Sequence, residues 1–206
     1  MQLLCTPTSP FARKVRMFAI EKGLSDVLKV VPTNPLEDPA TLLAINPLAK
    51  IPALITGDGQ PLYDSRVICA FLDSLAPTPQ LIPDAGELRW IVQRREALAD
   101  GLMDAAVSIV FERRRPAGEQ SARWLARWQE KIERALATMD KEHRSVPLLA
   151  ARLDGVALCG RAGLSRVSPA GHRVDGEPPR TRALVGRSSP TTGRRPDGGA
   201  LSPQRP

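Results

Sequence analysis

The sequence is poor in cysteine, poor in aromatic residues and free of long apolar runs. Only Cys5, Cys69 and Cys159 stand among its 206 residues. Three cysteines cannot all pair with one another, and their spacing fits neither a zinc ligand set nor a C-x-x-C redox pair. No metal site is expected. The apolar runs are a few residues long, which excludes a membrane-spanning helix. The opening Met1-Gln2-Leu3-Leu4-Cys5 lacks the basic and apolar stretches of a secretory signal. That pattern points to a cytoplasmic protein with no membrane partner.

Apolar residues make up 42% and charged residues 25% of the chain, an ordinary globular profile. The length suffices to bury a core without disulfide or metal staples. The net charge of +7 is unevenly placed. Residues 151–206 hold ten arginines, no lysine and four acids, while residues 1–150 hold 19 basic and 18 acidic residues. The basicity therefore belongs to the tail. The tail also carries 9 of the 15 glycines, 7 of the 20 prolines and no aromatic residue. By composition it reads as disordered. Its arginines could hold polyanions non-specifically, but no stacking aromatics accompany them, so a nucleic-acid partner is not expected.

Along the chain, residues 1–5 read as a short strand. Ser9-Pro10 reads as a helix start, because serine caps well and proline loses nothing at the first helical position. Val15, Met17, Phe18 and Ala19 suit a helix closed by Gly23. A second strand is expected at Val27 to Val31, and a short helix at 40–45. Asn46 to Lys50 reads as a loop, followed by a third strand at 52–56. Gly57-Asp58-Gly59 reads as a hairpin turn, with a fourth strand at 61–63. A third helix is expected over Val67 to Leu75, with Val67, Ile68, Phe71 and Leu72 on one face. Past a Pro-rich linker, Leu88, Ile91, Leu98, Leu102, Ala105 and Ile109 mark a long helix over 86–115. Leu125, Trp128, Ile132, Leu136 and Met139 mark another over 118–143. Their short connection implies an antiparallel hairpin. Trp90, Trp124 and Trp128 are read as packing residues of these helices, and Cys5 and Cys69 as buried packing residues. The expected division is 1–78, an α/β unit; 79–146, an all-helical unit; and 147–206, the tail.

Three segments at element ends carry the candidate chemistry. They are Ser9-Pro10-Phe11-Ala12-Arg13-Lys14-Val15, then Asn46-Pro47-Leu48-Ala49-Lys50-Ile51-Pro52-Ala53-Leu54, then Leu62-Tyr63-Asp64-Ser65. Read by themselves they stay open. Ser9 is also a plain helix cap, Pro52 an ordinary strand-opening proline, Lys50 a solvated lysine, and Asp64-Ser65 a capping turn.

In order and spacing the three motifs resemble a cytosolic glutathione S-transferase, most closely the bacterial branch that uses serine rather than tyrosine. The resemblance covers roughly residues 1–145. It implies a thioredoxin-like α/β domain followed by an all-α domain, with glutathione as co-substrate and a small electrophile as its partner. It implies Ser9 as the residue that activates the glutathione sulfur, with glutathione contacts at Ser9, Phe11, Lys50, Ile51, Pro52, Asp64 and Ser65. A cis Ile51–Pro52 bond would turn the Ile51 backbone toward the cysteinyl unit. Lys50 would face the glycyl carboxylate. Ser65, capping the third helix, would take the γ-glutamyl carboxylate, and Asp64 the ammonium. A homodimer is also implied, and an electrophile pocket near the start of helix 86–115. A thioltransferase would need cysteine at the position of Ser9.

The tail departs from the family, which continues with further helices and ends on a run like Arg-Pro-x-Leu-x-x-Trp. With suitable codons, Glu177 to Gly186 read one base out of frame give Asn-Arg-Pro-Ala-Leu-Ala-Arg-Trp-Trp. A frameshift between about Arg144 and Gly160 is therefore expected. Two alternatives to the enzyme stand at this point: a non-catalytic module of the same fold that binds a protein, and an inactive frameshifted family member.

Overall fold

The computed structural model describes residues 1–145. The expected tail over 147–206, the frameshift region beyond residue 145 and Cys159 lie outside the described residues.

The chain begins with β1 (Gln2–Cys5), which leads into α1 (Pro10–Glu21). Helix α1 stops in a Schellman motif. Gly23, at φ 69°, donates its N–H to Ile20 O over 3.0 Å, and Leu24 N–H reaches Ala19 O at 2.8 Å. Strand β2 (Lys29–Pro32) starts two residues later than the sequence suggests, because Ser25–Val27 form a 3₁₀ turn. Helix α2 (Ala40–Leu43) is one turn long, and β3 (Ala53–Ile55) and β4 (Pro61–Leu62) form the hairpin around Gly59, at φ 87°. Then come α3 (Ser65–Leu75), α4 (Glu87–Arg114) and α5 (Ala122–Ser145).

The sheet order is β2-β1-β3-β4. Strand β1 runs parallel to β2 and antiparallel to β3, which is antiparallel to β4. This is a thioredoxin-like α/β part followed by a helical part. Strand alternation sorts the two faces. Leu3 opposes Leu54, and both enter the cluster with Val15 and Phe18 of α1 and Ile68 and Leu72 of α3. Leu4 opposes Ala53, and both pack with Leu42 of α2 on the other face. Cys5 and Cys69 are buried in the α1/α3 cluster.

Leu102, Ala105, Ala106 and Ile109 of α4 pack on Ile132 and Ala135 of α5, with Leu125, Trp128, Leu136 and Met139 at the margin. The hairpin is antiparallel. Arg94 Nη1 at the start of α4 meets Glu142 Oε1 near the end of α5 at 2.6 Å, and Ser121 N–H donates to Glu112 Oε1 at 2.7 Å.

Some expected packing residues point elsewhere. Val67 and Leu88 are exposed, Trp90 is 65% exposed and Trp124 50% exposed, whereas Trp128 is half-buried in the α4/α5 cluster. Trp124 stacks on Trp128, with centroids 5.6 Å apart, and Arg127 lies over its ring. An apolar residue on a helix packs only where the helix has a neighbour, and periodicity alone does not show where that is.

Candidate functional site

The sheet register brings the three motif segments to one end of the α/β part. Strand β1 runs toward Cys5 and then the Ser9 cap. Leu4 opposes Ala53, so Ile51 and Pro52 lie just beyond the paired part of β3, next to the end of β1. Leu62 opposes Leu54, so Asp64 and Ser65 leave β4 at the same end. Helices α1 and α3 therefore both begin there, and they pack side by side through Val15, Phe18, Ile68 and Leu72.

Ser9 is the N-cap of α1. Its backbone is extended, and its Oγ accepts the Ala12 N–H at 3.2 Å. That bond uses a lone pair and leaves the hydroxyl proton to donate outward. The first turn of α1 holds no acidic side chain, so the positive end of the helix dipole is not answered by one there. Phe11 sits half-buried in the same turn.

The Asn46 to Lys50 loop is shaped by one buried amide. Asn46 Nδ2 donates to Lys50 O at 2.8 Å, and Asn46 Oδ1 accepts Leu48 N–H at 3.1 Å. Ala49 takes a left-handed φ of 52° to close the loop. Lys50 is exposed, Ile51 half-buried and Pro52 buried. The Ile51–Pro52 bond is cis, the isomer that the resemblance implies.

At the third segment the cap is not the residue expected. Helix α3 begins two residues before Val67, and Asp64 rather than Ser65 caps it. Asp64 Oδ1 accepts the Arg66 N–H at 3.0 Å. Ser65 is the first helical residue and is only 2% exposed. Both residues favour caps, but the extended backbone at Asp64 gives it the role.

An ionic cluster that none of the sequence motifs marks lies behind these segments. Lys14 of α1, fully buried, lies 2.7 Å from Glu96 Oε1 and 2.9 and 3.1 Å from the Asp100 oxygens, both on α4. Asp100 Oδ2 also receives Arg66 Nε at 2.6 Å. Burial works against the Lys14 ammonium, but Asp100 first and then Glu96 outweigh it and raise its pKa. One signal was available in the sequence. Lys14 falls on the face of α1 that carries Phe11, Val15 and Phe18, where an unpaired cation would be costly. Glu96 and Asp100, four apart on α4, are acids that can answer it.

A second buried lysine pins the linker. Lys22 Nζ contacts Asp73 Oδ1 at 2.8 Å and the carbonyls of Ala76 and Pro79 at 2.5 and 2.6 Å. Asp73 also accepts the N–H groups of Leu81 and Ile82.

A cavity of about 680 Å³ opens between α3, the linker and the first turns of α4, and Arg66, Asp73, Gln80, Arg89 and Glu96 help to line it. It lies near the start of α4, where the electrophile pocket was expected, but none of the seven motif residues named as glutathione contacts lines it. No described helix is long and apolar enough to cross a membrane. Among the described residues no group of three His, Cys, Asp or Glu is placed to hold a metal.

Comparison with known proteins follows the same lines. Residues 8–75 match the model of the glutathione S-transferase N-terminal domain. The chain is 36% identical over 141 residues to the uncharacterized GST-like protein YibF of Escherichia coli K12, covering 68% of each chain. It is 41% identical to a glutathione S-transferase of Methylobacillus flagellatus KT solved with glutathione bound, at a TM-score of 0.73, over 80% of this chain and 82% of that one. A glutathione transferase family member of Pseudomonas fluorescens Pf-5, also with bound glutathione, is 36% identical at a TM-score of 0.74, again over 80% and 82%.

Proposed function

Since the chain belongs to the glutathione S-transferase family, we propose that it binds glutathione at the shared end of β1, β3 and β4 and activates its thiol against a small electrophile. The observation that carries this reading is Ser9. Its Oγ caps α1 while its proton remains free to donate, at a helix start with no acidic side chain. A thiolate set there gains a hydrogen bond and a favourable field, and both lower the thiol pKa. The two relatives solved with glutathione bound support the choice of ligand.

The other motif residues fit the tripeptide by their chemistry. Ile51, ahead of the β3 ladder, offers its backbone to the cysteinyl unit, and Pro52 turns the chain there. Lys50 offers a positive charge to the glycyl carboxylate. The start of α3 with Ser65 suits the γ-glutamyl carboxylate, and the Asp64 carboxylate suits the γ-glutamyl ammonium. Phe11 contributes an apolar wall beside the sulfur.

In the reaction the thiol proton passes to solvent and the Ser9 hydroxyl donates to the sulfur. The thiolate attacks the electrophilic carbon, so the S–C bond forms as the bond to the leaving group breaks and that group departs with its electron pair. The protein works in the cytoplasm as a homodimer joined through α3 and α4.

Ser9→Ala provides the test. With 1-chloro-2,4-dinitrobenzene, kcat/KM is expected to fall roughly 10²-fold, the scale of losing one preorganised donor. The thiolate absorbance of bound glutathione near 240 nm is expected to appear only at higher pH. The glutathione Kd should stay within about threefold. Unchanged turnover in Ser9→Ala would remove Ser9 from the chemistry. A wild-type chain that binds glutathione but turns over no electrophile would favour a binding module.

A further inference from the structure

The Lys14 cluster joins three helices around one carboxylate. Asp100 of α4 gives its oxygens to Lys14 of α1 and to Arg66 of α3. Arg66 directly follows Asp64 and Ser65. Its backbone N–H is held by the Asp64 side chain at 3.0 Å. The start of α3 is thus fixed at Arg66 from two sides, by Asp64 through the main chain and by Asp100 through the guanidinium.

Asp100 can hold Arg66 in one place only if Asp100 itself is fixed, and its partner for that is Lys14. Asp100 is 2% exposed and Glu96 sits one turn away on the same helix. Two carboxylates at i and i+4 repel one another unless a cation lies between them. Lys14 Nζ, without solvent contact, is that cation, and it reaches both.

We propose that Lys14 is a positioning residue for glutathione: it fixes Asp100, Asp100 fixes Arg66, and Arg66 holds the start of α3 where the γ-glutamyl end binds. Lys14 is buried and cannot touch the ligand. Its influence crosses from α1 to α3 by way of α4. The proposal rests on the reading that glutathione binds at that helix start.

The test must separate positioning from stability, since Lys14→Met alone leaves two acids facing only Arg66. Lys14→Met/Glu96→Gln keeps the cluster neutral, with Asp100 paired to Arg66 alone. Replacing buried ionic groups by neutral ones of similar volume is often close to neutral in stability. Melting temperature and calorimetric glutathione Kd are measured for wild type, for this double variant and for Arg66→Met, whose side chain is half-exposed.

The expected result is a double variant that melts near wild type yet binds glutathione about tenfold more weakly, a loss of about 1.4 kcal/mol. Arg66→Met is expected to weaken binding at least as much. A double variant with wild-type Kd would overturn the proposal, because Lys14 would then serve only charge balance. Wild-type affinity in Arg66→Met would overturn it even if the double variant did not fold, since the last link would carry nothing. If wild type itself bound no glutathione, the underlying functional reading would fall and this inference with it. Wild-type binding with unaffected variants would remove this inference alone.

Discussion

At the residue scale, substitution can separate the observed role of Asp64 as a helix cap from its proposed role as the ammonium partner. As a cap it accepts one backbone N–H, and asparagine caps about as well as aspartate. As a carboxylate it offers the charge that an ammonium needs, and asparagine has none. Asp64→Asn is therefore expected to keep the melting temperature within about 1 °C while weakening calorimetric glutathione binding roughly tenfold. Asp64→Ala should lose both affinity and about 1 kcal/mol of stability. Equal affinity in wild type and Asp64→Asn would take the ammonium away from Asp64. The sequence showed that Asp64 and Ser65 belong together, but not which one caps. That choice is made by the backbone dihedral at Asp64, which follows from how β4 hands the chain to α3.

At the element scale, the two long helices were legible because Leu102, Ala105, Ile109, Ile132 and Leu136 recur at helical spacing over several turns. Leu88 matches that spacing equally well and is exposed, because no described element covers that end of α4. Leu102→Ala should cost about 2–5 kcal/mol. Leu88→Ala should stay within about 0.5 kcal/mol. Chemical denaturation of both variants measures the contrast, and a large loss from Leu88→Ala would mean that this face is covered in solution.

The far end of the same hairpin is electrostatic. The hydrogen bond from Arg94 comes first, and with the charges of Arg94 and Arg95 it outweighs partial burial and holds the Glu142 carboxyl below its ordinary range. A depressed carboxyl pKa adds stability above the unfolded value of about 4.3, and that stability is lost as pH falls through the folded value. Because Arg94 is largely exposed, the gain is modest, about 0.2–1 kcal/mol. Glu142→Gln should therefore melt below wild type at pH 7, and the difference should close as the pH drops below about 4. A difference that grew on acidification would contradict the assigned pairing.

At the scale of the whole molecule, one hydrophobic cluster lies around β1, β3, α1 and α3, and another between α4 and α5. The Lys14–Asp100–Arg66 contacts connect α4 to α1 and α3. The sequence revealed the clusters through their periodicity. It did not reveal the connection, because ion pairs such as Lys14 with Asp100 join positions 86 residues apart and no local spacing encodes them. The proposed homodimer belongs to this scale as well. The chain has a mass of 22.4 kDa, and light scattering after gel filtration should return about twice that. A monomer across micromolar concentrations would rule out a stable pairing through α3 and α4.

The placement of the tryptophans limits how this protein can be watched. Trp90, Trp124 and Trp128 all sit on α4 and α5, and the one tyrosine, Tyr63, is beside the candidate site. Emission excited at 295 nm therefore reports on the helical part alone. Its maximum should be red-shifted already in the native state, since two of the three indoles meet water. A fluorescence melt could show a well-behaved transition while the sheet had already come apart, or stay flat while it did. None of the three motif segments holds a tryptophan, so circular dichroism and heat must follow the half of the molecule that fluorescence does not see.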